Sequence, residues 1–217
     1  MPARMRLLLA ALRLFSEQGY DRTTIRAIAA EAQANVAAVH YYFGDKAALY
    51  AALFSEPAFS SMASLVPDFT RPGLSLRAAL QRFFQGALAP LHHGELARQM
   101  AHLYMREMLE PADQRQPALE RDIDLSSRAL TELLQRHLGL ATPDDELLRL
   151  AYTIVGLALQ LWCQQEALLV QQPRLLGTPE AMGHWIDGFT RHSLAMVAAE
   201  RRRRRAAHPS PSPAPAP

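Results

Sequence analysis

The sequence predicts an all-α protein in which a few short N-terminal helices precede a larger helical domain. Segments of helical length, with apolar residues at helical spacing, alternate with breakers rich in Pro and Gly. No segment shows the sustained alternation and hairpin turn signals that are typical of strands. An apolar content of 49% over 217 residues is ample for a core. The densest breakers lie at 67–73, 90–94, 111–117, 139–143, 173–179 and beyond 208.

The first predicted helix covers residues 3–18. Leu8, Leu12 and Phe15 recur at the spacing of one helical face, and Gly19 supplies a C-terminal stop. This helix is long enough to support shorter neighbours.

The second predicted helix is short. The neighbouring Thr23 and Thr24 offer a capping hydroxyl at its start, and Ile25 and Ile28 share its apolar face. It ends near Ala32, and a third helical signal begins within four residues.

The third predicted helix has an N-cap candidate in Asn35. Val36, Val39 and Phe43 form its buried edge, and Gly44 ends it. The remaining positions of this helix point away from the core.

Two short helices joined by a tight turn indicate a helix-turn-helix, because helices of about two turns persist only when a third helix packs on them. The first helix supplies that support, and a fourth helix, capped by Asp45, continues through Leu49, Leu53 and Phe54. The second helix of such a motif exposes one face to the major groove while apolar residues hold the other. The outward face of the third predicted helix is therefore the expected DNA-reading surface.

At these residues the chain resembles the DNA-binding domain of TetR-family regulators. The likeness lies in DRTTIRAIAAEAQANVAAVHYYFGDKAALYAAL and covers about 50 residues. Two positions depart from the family pattern: Gln33 stands at the common turn glycine, and Val36 at an often basic position. The matching features are Phe15, the pair Gly19 and Tyr20, Thr24, the run Tyr41, Tyr42 and Phe43, and Lys46.

The resemblance implies roles for individual side chains. Thr24 and Lys46 would hold phosphates at helix N-termini, and Tyr41 would donate its hydroxyl to another phosphate. The residues implied to face base edges are Asn35, Ala37, Ala38 and His40. Taken singly, the tyrosines could instead pack between helices, and Lys46 and His40 could be solvated surface residues. The predicted DNA-binding set is Thr23, Thr24, Asn35, Ala37, Ala38, His40, Tyr41, Tyr42 and Lys46.

Beyond residue 55 the pattern predicts five longer helices, at approximately 75–89, 95–109, 117–138, 144–171 and 179–204. The segment 144–171 is apolar nearly all round, so we expect it to be buried on several sides. Two helices from each of two chains would form a four-helix bundle, the usual TetR homodimer, which suits a reader of two half-sites. The predicted dimer interface comprises Trp162, Met182, Trp185, Ile186, Phe189, Met196 and Val197.

The C-terminal part is similar to the C-terminal domain of the CecR (CerR) subgroup of TetR regulators. The likeness lies in HLYMREMLEPADQRQPALERDIDLSSRALTELLQRHLGL and TIVGLALQLW, through Met105-Arg106-Glu107, Glu110-Pro111 and Val155-Gly156. We expect a mostly apolar pocket with a few polar groups that orient a small-molecule effector. The alternative is that its methionines and tryptophan are simply core, and Arg106 and Glu107 fit a structural ion pair or cap better than catalysis. The ligand-binding candidates are His102, Tyr104, Met105, Met108, Gln160, Trp162 and Gln164.

The formal net charge of +2 conceals three blocks of different sign. Residues 1–55 carry +2, residues 56–200 carry −5, and the arginine run 201–205 carries +5. Basic ends suit contact with polyanions. We expect the arginine run to be a solvated helix end and the Pro/Ser/Ala tail to be disordered. The alternative is a sequence-blind contact with nucleic acid.

Other chemistry finds little support. The single Cys163 cannot form an internal disulfide, and we interpret it as a small buried hydrophobe in a reducing cytoplasm. No segment resembles a signal peptide or a membrane span, so we expect a cytoplasmic protein without a membrane partner. The spacing of His92, His93, Glu95 and His102 matches no metal site. We expect no metal, no cofactor and no catalytic residue.

The expected function is a transcriptional repressor that leaves its double-stranded operator DNA when a small-molecule effector binds. The expected domains are a helix-turn-helix DNA-binding domain at 1–50, a helical ligand-binding and dimerisation domain at 51–205, and a disordered tail at 206–217. A nucleoid-type DNA-binding protein without a ligand is one alternative. A small helical hydrolase is another, but neither a nucleophile elbow nor a phosphate-cradling glycine loop supports it.

Overall fold

The computed structural model describes residues 1–56, 59, 63–91, 94–109 and 117–207, without the side chains at 108, 109, 117–119 and 122. Throughout these residues the regular structure is helical and no strand is present, which confirms the predicted all-α class. The α-helices are Ala3–Gln18 (α1), Ile25–Glu31 (α2), Val36–Phe43 (α3), Lys46–Ser55 (α4), Val66–Thr70 (α5), Leu76–Leu88 (α6), Glu95–Leu109 (α7), Pro117–Leu138 (α8), Asp145–Gln171 (α9) and Pro179–Ala207 (α10).

The helix α5 is the one α-helix in the described ranges that the sequence pattern did not predict. It spans only five residues and contains Pro67, which lies in the predicted breaker segment 67–73. Proline is tolerated in the first turn of a helix, where its missing N–H costs nothing. Phe69 is buried, and its ring meets that of Phe83 in α6 edge-on, with centroids 5.5 Å apart. Tertiary packing therefore fixes a turn of helix that is too short to show a period.

The chain divides into two compact units. The first comprises Met1–Leu65 and Ala89–Ser126, and the second comprises Val66–Leu88 and Ser127–Pro217. In the first unit α1 packs against α2, α3, α4 and α7. In the second unit α6 packs against α5, α9 and α10. The helix α7 thus belongs to the same compact unit as the four N-terminal helices.

The core of the first unit is built around α1. Leu7, Leu8, Leu12 and Phe15 have no exposed surface, because the helix is surrounded by its four neighbours. Each such side chain contributes about 1.5–3 kcal/mol by leaving water. The ring of Phe15 meets that of Tyr50 edge-on at 4.8 Å, which extends the packing into α4. This core fixes the four N-terminal helices as a unit.

The core of the second unit uses several residues that were predicted to meet a partner chain. The side chains of Trp162, Met182, Phe189 and Val197 are at most 8% exposed within their own chain. The indole Nε1 of Trp162 also donates a hydrogen bond of 3.0 Å to the carbonyl oxygen of Ala87 in α6. The prediction was wrong for these four residues, because Trp162 of α9 and the apolar stripe of α10 both pack on α6 of the same chain.

The helix α9 is buried along one face only, contrary to the expectation of burial on several sides. Tyr152 is 69% exposed and Val170 is 84% exposed, and Leu148 and Leu169 also reach the surface. Cys163 is exposed too, so its interpretation as a buried hydrophobe was wrong. By length and composition α9 could cross a bilayer, but many core helices pass that test, and 33% of its most apolar window is buried. The exposed apolar face needs another explanation.

Candidate nucleic-acid interface

The first helix of the predicted motif is held at both ends. Thr24 caps α2 by accepting a hydrogen bond of 3.1 Å from the backbone N–H of Ala27. At the other end the N–H of Ala34 bonds to the carbonyl of Ala29 at 2.8 Å, which is the hydrogen bond of a Schellman motif. Gln33 stands at the left-handed position of this motif with φ 50°. A glutamine there is strained, because its Cβ crowds the backbone in that conformation.

Thr23 is not part of the predicted DNA-binding surface. Its side chain is 1% exposed, and its hydroxyl is directed to the carbonyl oxygens of Gly19 at 2.8 Å and Leu14 at 3.2 Å. The hydroxyl thus satisfies backbone carbonyls at the end of α1. The assignment of Thr23 as a DNA contact was wrong, because its side chain is buried although that of the neighbouring Thr24 is exposed.

The second helix of the motif is short and firmly oriented. Asn35 caps α3 by accepting a 2.8 Å hydrogen bond from the N–H of Ala38. Val39 is fully buried, and Val36 and Phe43 pack against the core at its edge, as predicted. Because the amide oxygen of Asn35 is used in the cap, the side chain is left with its N–H donors for other contacts.

The opposite face of α3 carries exposed polar and aromatic groups. Tyr41 is 82% exposed and Tyr42 is 41% exposed, with their rings in edge-on contact at 5.0 Å. Ala37 and His40 are also exposed. Ala38 is only partly exposed and packs against the core, so its position is less outward than the prediction supposed. The result is a helix of eight residues with one anchored edge and one open edge.

The imidazole of His40 is oriented by the end of its own helix. Its Nδ1 lies 2.6 Å from the carbonyl oxygen of Gly44. A carbonyl can only accept, so Nδ1 carries a proton, and in the neutral tautomer with this proton Nε2 is an acceptor. Gly44 has φ 86° and ψ −68°, a conformation that requires glycine. The glycine therefore fixes both the end of α3 and the direction of the histidine.

Lys46 begins the next helix and lies against an aromatic ring. Its Nζ is 4.1 Å from the ring centroid of Tyr20, a cation–π contact. Asp45 caps α4 through a 2.7 Å hydrogen bond from the N–H of Ala48. Burial and the neighbouring Asp45 and Asp21 raise the pKa of the Tyr20 hydroxyl. The ammonium is therefore held at the N-terminus of α4, where an anion is favoured.

Most N-terminal arginines are engaged in the fold. Arg13 pairs with Glu31 at 2.6 Å, Arg4 pairs with Glu56 at 2.7 Å, and Arg6 donates to the carbonyl of Ala32 at 3.1 Å. Arg26, by contrast, is exposed in the first turn of α2, and no described residue forms an ion pair with it. Sequence reasoning left it out of the predicted set, although a basic residue two positions after the capping Thr24 was a usable signal.

Two neighbouring side chains of α7 form hydrogen bonds with the N-terminal helices. Glu107 is 3% exposed, and its Oε1 accepts a short hydrogen bond from the hydroxyl of Tyr50 in α4. Burial, and then the bond to the Glu107 carboxylate, raise the pKa of that hydroxyl. Arg106 donates to the carbonyl of Glu17 at 3.4 Å and lies over Gly19, whose φ is 83°. The structural role inferred for this pair thus has a geometric basis: one member binds a helix end and the other a buried tyrosine.

The predicted ligand-binding residues divide between the two units. Tyr104 belongs to the first core, where its ring meets Phe54 edge-on at 5.6 Å, and His102 and Met105 lie on the same helix. Gln160 and Gln164 of α9 are exposed in the second unit, and Trp162 is buried there. The side chain of Met108 lies outside the described residues, as do His92 and His93. Tyr104 and Trp162 are core residues, and for Trp162 this was the alternative stated from the sequence.

Two family models match the chain. Residues 7–53 match the model described as bacterial regulatory proteins of the tetR family, and residues 76–200 match the C-terminal domain of the HTH-type transcriptional dual regulator CecR. The second match alone covers more than half of the chain. The protein belongs to the TetR family of DNA-binding transcriptional regulators. Within that family its C-terminal domain is of the CecR type.

Individual proteins share part of this sequence or its fold. The chain is 51% identical over 43 residues to the HTH-type transcriptional regulator HbdR of Aromatoleum sp. (strain CIB), which is 20% of this chain and 19% of that protein. It is 52% identical over 50 residues to the dual regulator CecR of Shigella flexneri, which is 23% of this chain and 22% of that protein. These matches span about a fifth of each relative. The crystal structure of a tetR-family transcriptional regulator from Streptomyces coelicolor superposes with a TM-score of 0.59 at 22% identity, covering 97% of this chain and 91% of that one.

Proposed function

We propose that this protein is a repressor that binds operator DNA as a homodimer and is released by a small-molecule effector. The observation that carries the proposal is the open edge of α3. Tyr41 is 82% exposed on a helix whose other edge, at Val39, is fully buried. A helix anchored in this way presents side chains to a major groove without losing its own packing.

The contacts divide into two classes by chemistry. Thr24, Arg26, Tyr41, Tyr42 and Lys46 supply hydroxyls, charge and helix N-termini, which suit phosphate oxygens. Asn35, Ala37, Ala38 and His40 lie along α3 and suit base edges. With Nδ1 bonded to the carbonyl of Gly44, the Nε2 of His40 is an acceptor in the neutral tautomer, which matches the exocyclic N–H of cytosine or adenine. Phosphate contacts would set the register, and base contacts would set the preferred sequence.

The homodimer would use the exposed apolar face of α9 together with part of α10. Tyr152 and Val170 are open on α9, and Trp185, Ile186 and Met196 of α10 are partly exposed. An apolar face of this extent on a water-soluble protein favours burial against a second copy. Two copies would present two α3 helices to successive half-sites. The protein would act in the cytoplasm, with a DNA-binding domain at 1–50 and a larger helical domain at 51–205.

Effector binding would act by population shift. A ligand that prefers a spacing of the two α3 helices unsuited to successive major grooves lowers operator affinity. The candidate contacts remain predictions: His102, Met105 and Met108 in the first unit, or Gln160 and Gln164 in the second. A thermal-shift screen of small molecules would find it, because a ligand that binds the folded state raises its melting temperature.

Selection of bound sequences from random duplex DNA tests the proposal. A repressor of this kind recovers a palindrome with half-sites one helical turn, or a multiple of it, apart. His40→Ala should alter the recovered sequence, and His192→Ala, an exposed histidine on α10, should not. Recovery of random sequence by the wild type would favour a nucleoid-type protein and contradict the proposal.

A further inference from the structure

A basic cavity lies in the second unit, at the ends of two helices. Its volume is about 510 Å³. It is open to solvent and is lined by the last turn of α8, the turn that follows, and the arginine run of α10. The lining residues are Arg136, His137, Leu138, Gly139, Leu140, Arg201, Arg204 and Arg205.

The wall formed by α8 and its turn is held by hydrogen bonds. The Nε2 of Gln135 donates to the carbonyls of Leu140 at 3.1 Å and Ala141 at 3.0 Å. The Nδ1 of His137 lies 2.8 Å from the carbonyl of Leu133 and donates to it. Gly139 adopts φ 70°, which allows the chain to turn here. The cavity therefore has a fixed wall.

The arginines of the cavity differ in how they are neutralised. Arg204 is paired twice: it binds Asp144 through two hydrogen bonds of 2.6 and 2.8 Å and lies 2.6 Å from Glu200. Arg201 donates to the carbonyl of His137 and so caps the C-terminus of α8. Arg136 and Arg205 have no ion-pair partner within the described part of the chain. Three guanidinium groups around one cavity thus lack a carboxylate.

Such a group of charges favours one class of ligand. Guanidinium groups bind phosphate through paired N–H donors, and their mutual repulsion falls when an anion lies between them. The volume falls within the range of small-molecule sites, about 300–1,000 Å³. Leu138 and Leu140 add apolar surface that an organic part of the ligand can cover. Arg136 and Arg205 lie in the last turns of α8 and α10, where the helix dipole favours a cation, but the dipole alone does not require three unpaired guanidinium groups around one cavity.

We propose that this cavity binds the phosphate groups of an anionic ligand. The site is built wholly from the second unit, so it is distinct from the proposed reading face on α3. The phosphates come either from a small phosphorylated molecule or from the backbone of bound DNA. Both sources share the same recognition chemistry, and the proposal does not depend on the repressor function.

The first arm uses the full-length chain without DNA. Titration calorimetry with inorganic pyrophosphate, at ionic strength held constant with NaCl, should give saturable binding. Arg136→Ala and Arg205→Ala should each weaken that binding about tenfold, the effect of losing one charge-assisted hydrogen bond. Arg202→Ala removes the same charge from the same run, but Arg202 does not line the cavity. The pyrophosphate affinity of this variant should therefore stay within about twofold of that of the wild type.

The second arm measures DNA binding as a function of salt. If the phosphates belong to DNA, the slope of log K against log [salt] should fall by about 0.9 for Arg136→Ala and for Arg205→Ala, and not for Arg202→Ala. Circular dichroism and melting curves verify that each variant is folded. A positive result in either arm supports the site, and the salt slopes identify the source: a fall assigns the phosphates to DNA, and unchanged slopes with pyrophosphate binding assign them to a small molecule. No pyrophosphate binding together with unchanged salt slopes, or an equal loss in Arg202→Ala, overturns the proposal.

Discussion

The hydroxyl of Tyr50 in α4 is bonded to the carboxylate of Glu107 in α7, 57 residues away in the chain. Both groups are buried, and the second carboxylate oxygen, Oε2, has no hydrogen-bond partner. A buried carboxylate is costly unless its oxygens are satisfied. The bond therefore ties the helix that follows the reading helix to a helix encoded far downstream.

Tyr50→Phe should lower the free energy of unfolding by about 1.5–3 kcal/mol, because it leaves Glu107 buried without a donor. The double variant Tyr50→Phe with Glu107→Leu should recover part of this loss, since replacing both partners removes the unsatisfied group. Urea denaturation of the single and double variants measures the coupling. Additive losses would contradict the relationship.

The adjacent threonines should respond differently to substitution. Thr23→Val removes a buried donor from two carbonyls and should destabilise the fold by about 1–3 kcal/mol. Thr24→Ser retains a capping hydroxyl at the exposed start of α2 and should change stability by less than about 0.5 kcal/mol. Thermal denaturation of the two variants decides the matter. Equal stability of both would mean that Thr23 is not the structural member of the pair.

Gln33→Gly should stabilise the protein. Gln33 has φ 50°, a left-handed conformation that costs a residue with a Cβ about 1–2 kcal/mol and costs glycine little. Glycine also makes the unfolded chain more flexible, which offsets part of this gain. The net gain should be about 0.5–1 kcal/mol. Ala30→Gly, three residues earlier within α2, is the control and should cost about 1 kcal/mol. A loss of stability in Gln33→Gly, measured by melting, would contradict the left-handed geometry.

The ion pair between Asp144 and Arg204 should make stability depend on acidity. The hydrogen bonds from Arg204, and then from the N–H of Leu147, hold the pKa of Asp144 below its ordinary value. Its contribution is therefore complete above pH about 4, near the pKa of the unfolded side chain, and is lost as the pH falls below that. Asp144→Asn keeps a capping side chain for α9 but abolishes the ion pair.

The comparison of wild type with Asp144→Asn isolates that pair. The difference in unfolding free energy at pH 6 should be below about 1 kcal/mol, because the pair is exposed, and it should shrink in high salt. At pH 3 the difference should be smaller still. A difference that stays constant from pH 6 to pH 3 would assign the effect to capping.

Arg26 should act on DNA affinity rather than on sequence preference. Arg26→Gln should weaken binding to all duplexes alike and reduce the salt slope by about 0.9, the effect of one lost phosphate contact. Arg77→Gln, an exposed arginine of α6, is the matched control for charge. Binding isotherms at several salt concentrations provide the measurement. An equal change of the salt slope in both variants would mean that the net charge of the protein, and not a phosphate contact at Arg26, causes the effect.

Local signals accounted for much of the fold. Asn35 and Asp45 were predicted as N-caps, and Thr24 was one of two adjacent candidates. Each of the three accepts a hydrogen bond from the N–H three residues later. Such caps depend only on neighbouring residues, so the sequence shows them directly. The outward edge of α3 followed from the buried edge for the same reason.

Contacts between distant segments were the part that the sequence did not show. The apolar stripe of α10 indicates a buried face, but not whether a partner or α6 covers it, and Phe189 proved to be covered by its own chain. The bond between Tyr50 and Glu107 joins residues that no periodicity relates. Burial can be inferred from pattern, whereas the identity of the neighbour depends on how the chain folds back.

The packing of α7 against α1 has a practical consequence for anyone who cuts this protein apart. Met100, Leu103 and Tyr104 fill one side of the N-terminal core. An isolated fragment ending near residue 50 would lack these side chains, and an apolar surface along α1 would become exposed to solvent. Such a fragment should self-associate. A fusion of this DNA-binding unit to an unrelated effector domain should therefore include α7.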